Sequence, residues 1–170
     1  MNPKSMEYFH KEVKGAAGRG LLCSQIIVDV GLRYLGMRSE CLIKSTAGLV
    51  GAMGLQDATC GALTGAASLI AFAAIDRLGQ GIYLLIEDLE SCFSELISKY
   101  PANTCGAILD YDPTKAPTQV CPSIIAGALQ GALRILADSG ISPLGDPISE
   151  DGEAEFGLGL EDEIEAVLKT

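Results

Sequence analysis

Gly51-Ala-Met-Gly-Leu-Gln-Asp-Ala-Thr-Cys60-Gly-Ala-Leu-Thr-Gly65-Ala-Ala is the stretch on which the reading of this chain turns. A Gly-bearing loop ends at a cysteine, and that cysteine opens an uncharged, small-residue run that reaches Leu78 and stops at Gly79. Such a run reads as a buried helix over Cys60 to Leu78. A thiol at a helix start faces unpaired N–H groups and the positive end of the dipole. That setting predicts a lowered pKa and a thiolate, the form that attacks disulfides or binds metal. The glycines do not make a phosphate loop, because the Lys-Ser/Thr ending and the preceding strand are missing.

Working outward, further helices follow from periodicity and punctuation. Ser5 to Lys14 predicts a short helix broken by Gly15-Ala-Ala-Gly18-Arg-Gly20. Leu21 to Leu35 predicts a strong one, with Cys23, Ile26, Ile27, Val30 and Tyr34 on one stripe. Ser39 is placed to cap a third helix running to about Leu49. Ile82 to Tyr100 carries Ile82, Leu85, Ile86, Leu89, Cys92, Phe93, Leu96 and Tyr100 on one face, and Pro101 ends it. Pro101 to Val120 reads as a loop. Pro122 fits the first position of a last core helix to about Ala137, which puts Cys121 at or near its N-cap. Nothing alternates at period two. The expected fold is all-α, a compact bundle of about five to six helices.

The 170 residues suit one core domain with an appendage, divided as 1–138 and 139–170. Gly and Ala abound and Trp is absent, so the core must fill with small and aliphatic side chains on closely approaching helices. Paired glycines at i, i+4 recur in Gly61–Gly65 and Gly127–Gly131, and close helix packing is their plainest meaning. The net charge of −10 is concentrated at the end: from Asp146 onward nine acids face the single Lys169. The body is close to neutral, so no basic nucleic-acid footprint exists. In the tail, Leu160, Ile164, Val167 and Leu168 outline a terminal amphipathic helix. The charge-free run from Ala58 to Ile75 is long enough to raise a membrane span, but its Gly, Thr and Ser content favours a buried bundle helix. No apolar leader follows the polar start, and a cytoplasmic protein is expected. There, six cysteines point to metal or redox chemistry over structural disulfides.

Those six are Cys23, Cys41, Cys60, Cys92, Cys105 and Cys121, and none forms a CxxC pair. Any site must therefore be assembled from separate elements. Cys60 and Cys121 belong to helix starts and Cys105 to a loop, so these three have reason to be reactive or ligating. Cys41 and Cys92 fall in helix interiors, where a cysteine is ordinarily a small buried hydrophobe. His10 is the only histidine, which leaves Cys–His catalysis without support.

The order Cys23-Ser-Gln, Met53-Gly-Leu-Gln-Asp-Ala-Thr-Cys60-Gly-Ala-Leu-Thr-Gly65, Thr104-Cys105-Gly-Ala-Ile-Leu and Cys121-Pro resembles the C_GCAxxG_C_C family of redox-active proteins. The likeness spans about Met6 to Ala137. It implies a small helical prokaryotic protein with redox activity. Cys23, Cys60, Cys105 and Cys121 take the family's four cysteine positions, and Cys41 and Cys92 are extra. Thr59 stands where the family has Gly before the motif cysteine, and Gly61 precedes Ala62.

Three functions follow as expectations. In the first, Cys23, Cys60, Cys105 and Cys121 hold an iron–sulfur cluster, [2Fe–2S] or [4Fe–4S], for electron transfer; four thiolates suit either. In the second, no metal is present and Cys60 and Cys121 are nucleophile and resolving thiol. In the third, the chain is a non-catalytic subunit, a zinc-stabilised scaffold among the possibilities, joined to a larger redox complex by its acidic tail. The expected partners are a redox protein or enzyme complex and a second copy in a homo-oligomer, with no nucleic acid and no membrane span.

Overall fold

The computed structural model describes residues 4–112 and 114–143. The terminal amphipathic pattern and most of the acidic tail lie outside those residues. Five helices of twelve residues or more build the domain: α1 (Met6–Gly18), α2 (Cys23–Tyr34), α5 (Gly61–Leu78), α6 (Ile82–Leu96) and α8 (Pro117–Asp138). Between them come α3 (Glu40–Ser45), α4 (Val50–Leu55) and α7 (Cys105–Ile108), and no strand occurs among the described residues. The expected all-α bundle is what the chain forms.

Helix α5 lies centrally and packs on α2, α6 and α8, while α1 closes the bundle against α2 and α8. Its neighbours approach closely because glycines remove side chains where they meet. A Cβ on Gly65 would stand 2.7 Å from the Cα of Ser24 and 2.8 Å from its carbonyl oxygen. A Cβ on Gly61 would stand 2.5 Å from the Cys23 sulfur and 2.9 Å from the Leu49 carbonyl oxygen. The small-residue edge of α5 is thus the seat for the start of α2. Further along, Gly31 of α2 leaves room for Leu69. On α8, Gly127 and Gly131 receive Leu96 and Cys92 of α6 in the same manner. Ile27, Leu69, Ile70, Leu89, Phe93 and Leu129 fill the centre.

Buried polar groups tie the first helices down. Arg33, only 5% exposed, donates to Glu12 of α1 at 2.9 Å and to Asp29 at 3.2 Å, and Arg19 also pairs with Asp29. The stretch Gly61–Leu96 and helix Pro117–Asp138 are each long and apolar enough to cross a membrane by length and composition. In this fold both contribute to the core.

Element ends depart from the sequence reading in four places. Helix α1 runs through the glycines to Gly18, since tertiary contacts of the buried Ala16 outweigh their low propensity. Ser39 does cap α3, accepting from the Leu42 N–H at 3.2 Å, but the helix tightens into a 3₁₀ turn at Thr46–Leu49. Helix α6 ends at Leu96, ahead of Tyr100, and a tight turn precedes Pro101. Helix α8 starts at Pro117 with Ala116 as its extended N-cap. Pro122 is therefore inside the helix, and Cys121 is in its second turn, away from the N-cap. Both prolines fit a first helical position; the earlier one takes it. The later one removes only the bond to the carbonyl of Thr118, an exposed residue that water can satisfy.

The glycine seat predicts an asymmetry. Gly65→Ala should destabilise the fold by about 1–3 kcal/mol through overpacking against backbone that cannot move aside. Gly48→Ala, with nothing within 4 Å of the new methyl, should stay within about 0.5 kcal/mol of the parent. Urea denaturation followed by circular dichroism measures both.

Candidate four-thiol site

The Gly51–Cys60 segment is neither loose nor featureless. Gly51, Ala52, Met53 and Gly54 take φ of 62°, 56°, 64° and 71°, a full turn of left-handed helix. Left-handed geometry costs an L-residue about 1–2 kcal/mol, so Ala52 and Met53 carry real strain. The burial of Ala52 holds the turn in place. Asp57, Asp110 and Tyr111 also have positive φ, at 55°, 56° and 52°. Among the described residues, all five non-glycine residues with positive φ border the segments carrying Cys60 and Cys105. Strain concentrated in this way is characteristic of functional sites.

Beyond the turn, the chain extends. Thr59 bridges Thr104 in antiparallel fashion, and the Cys60 N–H donates to the Asn103 carbonyl at 2.8 Å. Cys60 is the N-cap of α5 and Cys105 the first residue of α7, so this short pairing brings two helix starts together. Asp57 secures it: its carboxylate accepts from the Gly106 N–H at 2.6 Å. That bond, followed by the hydroxyls of Thr104 and Tyr111, holds the Asp57 carboxyl below the usual carboxylate range. A Cβ on Gly106 would meet the Tyr111 ring at 2.4 Å and the Asp57 oxygen at 2.7 Å, so both side chains would have to shift from their bonded positions.

Cys23 arrives from the other side as the first residue of α2, its sulfur against Gly61. The two residues after it anchor it. Ser24, fully buried, donates its hydroxyl to the Thr46 carbonyl at 2.8 Å, and Gln25 accepts from the Leu22 N–H at 3.4 Å. Cys121 comes from α8, which packs on α5.

The four thiols feel one another in every pairing. Burial is the main cause that raises Cys60, Cys105 and Cys121. Cys23 adds to the rise of Cys60, Cys60 and Cys23 to that of Cys105, and Cys60, Cys105 and Cys23 to that of Cys121. Cys105 is pushed up to about 11 and Cys121 to about 12. The lowered thiol expected at Cys60 is not what forms. The N–H groups of Ala62 and Leu63 do lower it, without closing a capping hydrogen bond, but the desolvation of a 7% exposed thiol outweighs them.

All six cysteines are free thiols. Cys41 is exposed on α3 and Cys92 packs on Gly131 of α8, with Arg134 at 3.7 Å from its sulfur. Neither enters the mutual coupling. Among the described residues, no three Cys, His, Asp or Glu side chains stand at metal-holding distance. The four thiols are thus gathered at one end of the bundle with their sulfurs not yet converged.

A family model described as "Putative redox-active protein (C_GCAxxG_C_C)" matches residues 21–135, more than half of the chain. The chain belongs to the C_GCAxxG_C_C family. The match starts two residues before Cys23 and ends beyond Cys121, so it spans all four coupled thiols. No curated protein and no solved structure matches the chain.

For this member of the family, residues that the thiol pattern did not single out complete the site. Asp57, Asn103, Thr104 and Tyr111 join the two loops, and Thr46 receives Ser24. Only Asp57 left a signal, an acid in a glycine-bearing loop; aspartate tolerates positive φ and offers a short acceptor. Asp57→Ala should free the Gly106 N–H and loosen the second loop, giving faster hydrogen exchange at Gly106 and faster alkylation of Cys105. Asp57→Asn, which keeps the acceptor, should change both much less.

The raised thiols also set a pH window. A folded pKa above the unfolded one gives stability that is complete below the ordinary thiol range, about 8.5, and lost as pH rises through the folded values of about 11 and 12. Urea midpoints of the metal-free protein should therefore be flat from pH 6 to 8 and fall above about 9.

Proposed function

We propose that this redox-active family member transfers electrons through an iron–sulfur cluster held by Cys23, Cys60, Cys105 and Cys121. One observation carries the reading: thiols from four separate elements are brought together, Cys60 and Cys105 by the Thr59–Thr104 bridge, Cys23 by its seat on Gly61, and Cys121 on α8 packed against α5. The donor set fits, since soft thiolates select iron–sulfur clusters, zinc or copper(I) over hard cations. When bound, the cluster would supply a one-electron couple tuned by hydrogen bonds and burial.

The chain's own residues supply the rest. Cys60, Cys105 and Cys121 are raised and so stored protonated, and loading must release those protons. Cys23 and Cys60 stand at the starts of twelve- and eighteen-residue helices, where free N–H groups offset thiolate charge. Ala62, Leu63, Ala107 and Ile108, all buried, keep water from the inner side of the thiols. Because the sulfurs do not yet converge, loading also requires their side chains to turn toward a common centre. Leu22, Met53 and Tyr111 are large apolar residues exposed by 55%, 56% and 68%, each on a segment that carries or adjoins a thiol. They favour a protein donor or acceptor docking over that end of the bundle. Six unpaired thiols in one small chain favour a reducing, cytoplasmic setting.

Protein purified without oxygen from iron-replete cells should be coloured and contain iron and acid-labile sulfide. Ser at any of positions 23, 60, 105 or 121 should remove most of both, while Cys41→Ser and Cys92→Ser should leave them intact. A colourless, iron-free preparation overturns the reading. Metal-free dithiol chemistry then takes its place, provided that mild oxidant closes a reversible disulfide at Cys60. The high proton affinity of Cys105 and Cys121 counts against that alternative, because a neutral thiol is a poor nucleophile.

A further inference from the structure

Helices α1, α2, α6 and α8 leave an open cleft of about 850 Å³ between them. That volume falls within the range of about 300–1,000 Å³ that small-molecule sites occupy. The buried Phe9, Leu35 and Leu133, with the more exposed Leu96, give the cleft an apolar lining. Cys23, Cys60, Cys105 and Cys121 do not border it, whereas Cys92 does. The cleft is therefore separate from the four-thiol site.

One wall is set by the seam between α6 and α8. Gly131 leaves room for the Cys92 sulfur, and Nη2 of Arg134 stands 3.7 Å from that sulfur. Arg134 lines the cleft, as does Gln130 one turn before it. A guanidinium carries five donors in a rigid fork, and a thiol sulfur is only a weak acceptor. Among the described residues, no carboxylate lies within ion-pair distance of Arg134. Asp138, four residues on, stands in the less favourable order for a helical pair, with the base N-terminal to the acid. The fork thus keeps unused donors beside an apolar lining, and a planar carboxylate matches such a fork bidentately. Glu95 and Asp138 also stand on the walls. Their Coulombic repulsion opposes a phosphate dianion about twice as strongly as a single carboxylate.

We infer that this cleft binds an amphipathic monocarboxylate, its apolar body on Phe9, Leu35 and Leu133 and its carboxylate paired with Arg134 beside Cys92. The apolar body supplies most of the affinity, since it covers surface that is otherwise open to water. The guanidinium sets the head-group preference, and the two wall acids turn away more highly charged anions. Binding is independent of what the four thiols hold, because none of them lines the cleft.

Decanoate, decyl phosphate and decyltrimethylammonium, each below its micelle concentration, share one chain and differ in head group. Titrated into the full chain by calorimetry, decanoate should bind saturably and more tightly than either of the others. It should also slow the peptide-mapped alkylation of Cys92, while Cys41, exposed on α3, reacts at an unchanged rate. Arg134→Gln should weaken decanoate by about tenfold, as for one lost charge-assisted contact. Arg134→Lys, which keeps the charge without the fork, should fall between. Arg134 is an exposed residue, so the thermal unfolding of both variants should match the parent. Decanoate affinity untouched by Arg134→Gln overturns the inference. Tighter binding of the cation does so as well, because it gives the head-group choice to Glu95 and Asp138. Equal binding of all three probes, saturable binding of none, or an unprotected Cys92 rejects the site without recourse to any variant.

Discussion

The contact on which the site depends is the seating of the first turn of α2 on the small-residue edge of α5. Gly65 lies against the Ser24 backbone, and Gly61 lies against the Cys23 sulfur and the Leu49 carbonyl. Both glycines sit one helical turn apart, so a single face of α5 accepts a backbone and a thiol together. Cys60 is fixed as the N-cap of the same helix. The separation of Cys23 from Cys60 is therefore set by packing in the protein's interior, where a methyl group is enough to disturb it. Ser24 adds a directional element, because its buried hydroxyl is committed to the Thr46 carbonyl. The motif glycines are in this sense part of the four-thiol site although they contribute no donor atom.

The other two thiols are held by different means. Cys105 depends on a two-residue antiparallel pairing and on one carboxylate, that of Asp57, and its surroundings carry left-handed backbone at Ala52, Met53, Asp57, Asp110 and Tyr111. Packing of this kind is cheaper to rearrange than the α2–α5 seat, since it rests on few hydrogen bonds and stores strain. Cys121 rides on the long α8, whose position is set by its contacts with α1, α5 and α6. A rigid half, Cys23 with Cys60, thus faces a half in which Cys105 is attached through an adjustable loop. An arrangement with coupled but unconverged thiols is what such an assembly produces.

The helices were legible because their signals are local. Ser39 as a cap, Gly79 as a stop and the apolar face of α6 each follow from a few adjacent residues. The paired glycines at 61–65 and 127–131 were legible too, as markers of close approach, although the partners they meet are distant in sequence. The four thiols emerged from the family pattern together with helix starts. What stayed hidden needed the third dimension. Pro117 and Pro122 satisfy the same rule, and only the packing of α8 chooses between them. The left-handed turn reads as an ordinary glycine loop because Ala52 and Met53 carry no mark of positive φ. The role of Asp57 depends on a partner forty-nine residues away.

Cys60 illustrates why local reasoning about charge fails at a buried site. The helix start does act on its sulfur, through the N–H groups of Ala62 and Leu63, and in the direction expected. An exposed thiol with those neighbours would be acidic. Here desolvation is the larger effect, and the neighbouring Cys23 adds to it, so the group stays protonated. The same two facts then acquire a different meaning. N–H groups too weak to ionise one buried thiol can still lower the cost of several thiolates once a cation shares their charge. Three raised thiols gathered with Cys23 beside two helix starts form a poor set of nucleophiles, and soft sulfur donors of this kind are the type that soft metals select. That difference is what separates the metal reading from the dithiol one.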